Sequence, residues 1–279
     1  MSALCLTLHS SGTCPKAGKP LNFTLCREGN AVSELKELDQ RLMDGMEFCQ
    51  RTYGLFEKIR CGPNGVERLR LRKEKTAKKL IEELIPIARF IQMTYGHGRK
   101  IKVKWVDGNQ NYDAYLLSSG YLVEKRLVPR KQYLEVTTAV HSNDHLARRH
   151  LNTEGFVFGV RGISVNKKAK KIMSAPYVYT NWEVQDEFAE LIRKRIEKKA
   201  NIKYPRHTSL VIQCMLDMPF IDYEWEHMVE EVKKSEVAHA FWEIFLFESN
   251  FNHFTTLYGK QGQGRRPQRG ITSRSRPTR

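Results

Sequence analysis

The chain has no stretch of about 18 consecutive apolar residues, the length a membrane-spanning helix requires, so no segment of it reads as a transmembrane span. Its six cysteines (Cys5, Cys14, Cys26, Cys49, Cys61 and Cys214) form no C-x-x-C pair and no zinc spacing, which removes the common structural-zinc and thioredoxin-type readings. Met1 to Cys14 lacks a basic n-region and has only a short apolar patch, so no secretory signal is expected. Reduced thiols and a cytoplasmic location follow as expectations. Acid is also scarce. Only 31 Asp and Glu stand against 47 Lys and Arg, a net charge of +16 that is unusual for a metabolic enzyme and favours polyanionic partners. One Lys, six Arg and no acid between Lys260 and Arg279 supply +7 of it, and the remaining +9 belongs to the body.

What is present suits a soluble domain. With 279 residues, 41% hydrophobic and 28% charged, the chain buries a real core and is expected as one domain with additions. Residues 1–65 read as an N-terminal extension with one helix, 66–259 as an α/β domain, and 260–279 as a basic tail without apolar pattern, expected to be disordered. Val32, Leu35, Leu38, Leu42, Met46 and Cys49 recur at helical spacing and predict a helix from Val32 to Tyr53. A turn at Cys61 to Gly65 leads into the longest helical signal, ending at Tyr95 and kinked at Pro86. Glu82 and Glu83 flank its apolar stripe, near enough to a buried face for one of them to approach a site.

Three strand signals follow: Lys100 to Val106, Asn111 to Leu117 and Gln132 to Val140. Asp107-Gly108 signals a primed two-residue hairpin turn between the first two, and Tyr121 to Val123 reads as a short widening of the next hairpin. Ser142 or Asn143 caps a helix stopped by Gly155. Two strands then flank the basic run Lys167 to Lys171. Thr180 or Asn181 caps a helix from Trp182 to Ala200, and Thr208 to Leu216 is a continuous apolar strand of the kind buried on both faces. An acidic helix, Tyr223 to Lys234, and two aromatic strands close the pattern. Trp105, Trp182, Trp225 and Trp242 read as core.

The chemistry-bearing residues sit in the strands. Alternation in Tyr133 to Val140 puts Glu135 and Thr137 on one face, and an ionised carboxylate in an apolar strand is costly unless it is paired or binds a cation. Asp113 occupies a comparable strand, so a single divalent cation would serve both. The competing reading keeps each acid as a surface or ion-paired residue held by nearby Lys and Arg. His141, His145 and His150 lack a third ligand at close spacing, which weakens a zinc reading.

The order helix, three strands, helix, strand, with Asp113 on the second strand, Glu135-Val136-Thr137 on the third and the run Ile196 to Tyr204 before the apolar strand, resembles the PD-(D/E)xK nuclease superfamily. The likeness covers about residues 69 to 216. It implies a restriction-endonuclease-like core with a mixed sheet, a site for Mg²⁺ or Mn²⁺ held by Asp113 and Glu135, and Glu83 as a third ligand from the first helix. The catalytic set it implies is Asp113, Glu135, Thr137 and a lysine. Thr137 stands where the motif has that lysine and carries no charge. Lys198 or Lys199 on the neighbouring helix is the candidate substitute, and Lys199 is the residue chosen.

The implied activity is metal-dependent hydrolysis of phosphodiester bonds, endo- or exonucleolytic, on DNA ahead of RNA. Two alternatives stand beside it: a nuclease-fold protein that binds nucleic acid without cutting, and a basic module for an acidic protein partner. No membrane partner is expected, and a homodimer is compatible with the sequence.

Overall fold

A computed structural model describes residues 30–216, 218–234, 239–250 and 252–258. In chain order the elements are α1 (Asn30–Leu38), β1 (Met43–Asp44), α2 (Gly45–Cys61), α3 (Gly65–Leu71), α4 (Lys75–Lys79), a π-helical turn (Leu80–Leu84), α5 (Ile85–Thr94), β2 (Lys100–Trp105) and β3 (Ala114–Ser119). They continue with α6 (Tyr121–Glu124), β4 (Lys131–Ala139), α7 (Asp144–Glu154), β5 (Ile163–Asn166), β6 (Lys171–Ser174), α8 (Asn181–Ala200), β7 (Thr208–Cys214), α9 (Asp222–Lys234), β8 (Glu243–Glu248) and β9 (Phe254–Tyr258).

Seven strands form one mixed sheet in the order β1-β2-β3-β4-β7-β8-β9, and β5 and β6 form a separate hairpin. The run β1 to β4 is antiparallel, whereas β7 is parallel to both β4 and β8. Parallel neighbours need a crossover, and α8 supplies the one between β4 and β7. Helices cover both faces. On one face α1, α2 and the α4–α5 rod pack Leu38, Phe48, Leu84 and Phe90 against Val103, Leu116, Val136 and Val211. On the other, α8 and α9 pack Phe188, Ile192 and Met228 against Leu210, Ile212 and Leu246. Every residue of β7 is buried because both its faces and both its edges are occupied, which explains its uninterrupted apolar run.

Several helix ends follow their sequence signals. Thr180 caps α8 in a capping box with Glu183, and α7 ends on Gly155 at φ 80°, the left-handed conformation glycine favours, whereas the expected cap at its start does not form because the Asn143 side-chain amide donates to Val160 C=O and Ile163 C=O instead. Pro86 has no N–H to return to the preceding turn. The helix absorbs this by widening one turn, so that Ile85 N–H bonds Leu80 C=O five residues back. The rod continues beyond the π turn as α5.

Other expectations are corrected. Val32 to Tyr53 is not one helix. Gln40 takes φ 61°, its N–H bonds Trp105 C=O, and Asp44 starts a new helix by accepting from Met46 N–H at 2.8 Å. Residues 33–61 are also no appendage, since they contribute Leu35, Leu38, Phe48, Leu55 and Ile59 to the main core. Asp107-Gly108 does not form a two-residue turn. Residues 106–113 make a wide connection, stitched by Gln110 Nε2 donating to Val106 C=O and Tyr112 C=O at 2.8 Å each. Tyr121 to Glu124 is a helical turn, not a strand extension. Trp182 is exposed, unlike Trp105, Trp225 and Trp242. Residues 1–29 and the basic tail from 259 lie outside the described residues, and among the described residues no helix is long and apolar enough to cross a membrane.

Candidate active site

The β3–β4 ladder runs only as far as Ala114 with Leu134, so Asp113 stands one residue before β3 and not within the second strand as the sequence suggests. Asp113 is where the two strands part. Its N–H still donates to Leu134 C=O at 2.8 Å and its C=O accepts from Val106 N–H at 2.9 Å. The next β4 donor, Val136 N–H, goes instead to the Asp113 carboxylate at 2.7 Å. That bond fixes the side chain at the mouth of the opening between the strands.

Glu135 projects from β4 toward the α8 side of the sheet, where β7 offers Leu210 opposite it. Its partner is Lys199, from the last turn of α8, whose ammonium donates to Glu135 Oε1. Lys198, one residue earlier, is exposed. Glu83 arrives from the π turn on the opposite helical layer, where it accepts from Trp105 Nε1 at 3.2 Å and from Lys79 Nζ at 2.6 Å. Lys79 also lies 3.4 Å from Asp107, which Lys75 holds at 2.8 Å. The Lys75 ammonium, with Lys79 behind it, keeps the Asp107 carboxyl below its usual range.

The charges of these groups reach one another. Burial, then the neighbouring Glu135 and Glu83 carboxylates, push Asp113 up to about 7, against the weaker opposing pull of Val136 N–H and Lys199. Desolvation plus like charge is the combination that favours a neutral carboxyl and that a bound cation relieves. Tyr204, between α8 and β7, feels the same two acids, Glu135 and Asp113, and burial followed by their charge drives its hydroxyl upward. Its Oη is buried with no hydrogen-bond partner. Sequence reasoning assigned Tyr204 no role, and nothing in its local pattern marks it.

Asp113, Glu135, Glu83 and Lys199 therefore gather from a strand entrance, a strand centre, a π turn and a helix end. Thr137 shares the Glu135 face but lies two residues on, about 6.6 Å along β4, opposite Ile212. No family model, curated protein or solved structure matches the chain. The donor set is all oxygen, which suits hard cations of the Mg²⁺ or Mn²⁺ kind. Its three carboxylates do not close on one another within 4.8 Å, since the group of three that does so among the described residues is Asp186, His227 and Glu231.

That second group lies between α8 and α9. His227 Nε2 is 3.5 Å from Asp186 and 4.0 Å from Glu231. Its signal in the sequence is the spacing of His227 and Glu231, four residues apart on one helix. Glu231 is already paired with Lys234, and Asp186 is 63% exposed. The earlier histidines have other work. His141 pairs with Glu187 at 3.1 Å, His145 faces Ser142 C=O, and buried His150 packs edge-on against Phe156.

Proposed function

We propose that this protein is a metal-dependent phosphodiesterase acting on nucleic acid, DNA ahead of RNA, with a restriction-endonuclease-like core. The observation that carries the reading is the convergence of Asp113, held by Val136 N–H where β3 and β4 part, with Glu135, whose charge reaches it, and a lysine delivered by the crossover helix. The sheet supports the core assignment: β2, β3 and β4 run antiparallel, and α8 crosses to β7 parallel to β4.

The residues fit a hard divalent cation because burial and then the neighbouring Glu135 and Glu83 carboxylates raise Asp113, and because the buried Tyr204 hydroxyl faces the same acids without a partner. Asp113 and Glu135 would hold the ion, with Glu83 as a third carboxylate. When bound, it supplies Lewis-acid polarisation of the scissile phosphate and a more acidic water. Val136 N–H keeps the Asp113 carboxylate aimed into the opening. Lys199, carried by α8 and not by the strand, places a positive charge beside Glu135 where anionic charge develops during hydrolysis. Trp105 and Lys79 orient Glu83. Thr137 contributes at most a neutral hydroxyl on the same strand face.

A second reading has its own observation. Glu135 is already neutralised by Lys199 and Glu83 by Lys79, as ion pairs with a purely structural role would be, and the motif lysine position holds Thr137. The protein would then bind nucleic acid without cutting it. Incubation with plasmid, single-stranded DNA and RNA in Mg²⁺, Mn²⁺ or EDTA separates the two. Cleavage that needs metal and is lost in Asp113→Ala and Glu135→Ala, with binding retained, supports hydrolysis. Binding with no cleavage under any of these metals refutes it.

A further inference from the structure

The β5–β6 hairpin stands apart from the main sheet and takes no part in the site just described. Asn166 pairs with Lys171 across its end, and the tip between them carries Lys167, Lys168 and Lys170. With Lys171 these make four lysines within five residues, all exposed. The tip has one shape. Asn166 Oδ1 accepts from the N–H groups of Lys168 and Ala169 at 3.1 and 3.0 Å, and Lys170 turns the chain at φ 50°. Four ammonium groups held this close repel one another, and no fold-stabilising contact offsets that among the described residues, where none of the four is paired with an acid.

The base of the hairpin is unusual in a second way. Phe156 and Phe158 are each about half exposed and meet edge to face at 5.5 Å. In the segment after β6, Tyr177 is 59% exposed and lies nearly parallel to Tyr179 at 6.3 Å. Exposed aromatic rings at the base of a short hairpin whose tip carries lysines form a combination that suits nucleic acid strands, with ammonium groups on phosphates and rings against bases. An acidic protein surface would use the lysines but has no need of the open rings.

The hairpin is also anchored to the helix that delivers Lys199. Arg161 Nε bonds Glu187 on α8 at 2.8 Å, its guanidinium covers the Tyr179 ring at 4.8 Å, and Ala175 N–H bonds Gly162 C=O at 3.0 Å. From Glu187 to Lys199 the helix rises about 18 Å, so the anchor of the hairpin and the lysine beside Glu135 sit on one rigid element. We infer that the β5–β6 hairpin is a nucleic-acid-binding arm that grips the phosphate backbone through Lys167, Lys168, Lys170 and Lys171 and stacks unpaired bases on Phe158 and Tyr177. This rests on nucleic acid being the substrate, though it does not require turnover.

The test is fluorescence anisotropy in EDTA, with labelled single-stranded and duplex DNA titrated by the full chain over a range of salt. Replacing all four lysines by Ala is expected to weaken both DNAs at least 10-fold and to reduce the slope of log K against log salt by about 2–4 for the duplex. Arginine at the same four positions should restore both. Phe158→Ala/Tyr177→Ala should weaken single strands about 5- to 100-fold while leaving the duplex within threefold. An unchanged salt slope in the lysine variant overturns the proposal. So does loss of binding to phosphatidylserine vesicles with DNA affinity intact, which would make the arm a lipid contact. If the lysine variant misfolds by circular dichroism, the arginine and aromatic variants decide alone. Wild-type protein that cuts DNA with the arm variants at full affinity sinks the arm and spares the nuclease reading. Wild-type protein that binds but never cuts does the reverse.

Discussion

Replacing Asp113 by Asn tests the electrostatic reasoning directly. The ordinary carboxyl value of 3.8 is raised to about 7 in the folded chain, so the native state holds a proton that the unfolded state releases. Stability from this group is therefore complete below pH 3.8, declines as pH rises between 3.8 and about 7, and is level above that. At about 1.4 kcal/mol per tenfold change in proton affinity the cost above pH 7 has an upper limit of about 4 kcal/mol. Allowing for water at this part-exposed position, about 2 kcal/mol is expected. The amide oxygen of Asn can still accept from Val136 N–H, so the variant sheds the charge and keeps the bond. Asp113→Asn should thus match the wild type near pH 4 and exceed it in Tm by about 4–8 °C at pH 8 without metal. Saturating Mg²⁺ or Mn²⁺ should close the gap by stabilising only the wild type, by about 2.7 kcal/mol at a hundredfold excess over Kd. Scanning calorimetry across pH, with and without metal, reads all of this. A variant less stable than wild type at pH 8, or a difference that does not change with pH, refutes the claim that crowded negative charge defines the site.

Lys199→Ala should lower metal-dependent cleavage at least 100-fold with DNA affinity unchanged within about threefold, measured by single-turnover assay and by anisotropy; retained cleavage would return Lys199 to a structural role. Trp105→Phe removes the donor to Glu83 and trims the fully buried indole to a phenyl ring, and denaturant titration should show a loss of about 2–3 kcal/mol. Gly65→Ala would place a Cβ 2.1 Å from Ile59 C=O, so the start of α3 must shift, and a loss of about 3 kcal/mol is expected by urea unfolding.

How far the sequence could be read depended on whether the cause was local. The capping box of α8, the glycine stop of α7 and the unbroken apolar run of β7 were legible because their signals lie within the element itself. The break at Gln40 was not, because its reason is a bond to Trp105, far along the chain. Likewise Asp107-Gly108 has the composition of a tight turn, yet Asp107 is drawn off by Lys75 and by a backbone bond to Asp39 Oδ1. At the candidate site, alternation placed Glu135 and Thr137 on one strand face, and β4 shows that face. The bond from Val136 N–H to the Asp113 carboxylate, and the pairing of Glu135 with Lys199 rather than exposed Lys198, come from strand pairing and helix phase, which composition does not carry. Tyr204 was invisible because its importance is a buried hydroxyl without a partner. A buried polar chain was missed for the same reason: Arg99 donates to Gln132, and Gln132 donates to Glu243 on β8, both at 2.8 Å or less.

The parallel pairing of β4 with β7 joins Tyr133 to Thr208, and this sets an order of events on the ribosome. A nascent chain that has emerged only as far as β4 can already fold the antiparallel meander, but it leaves one edge of that strand unpaired and Glu135 without Lys199. Closing that loop must wait for α8 and then for β7. The Glu135–Lys199 pair is therefore closed only after α8 has been made, and chains halted before Thr208 would expose an open strand edge to self-association.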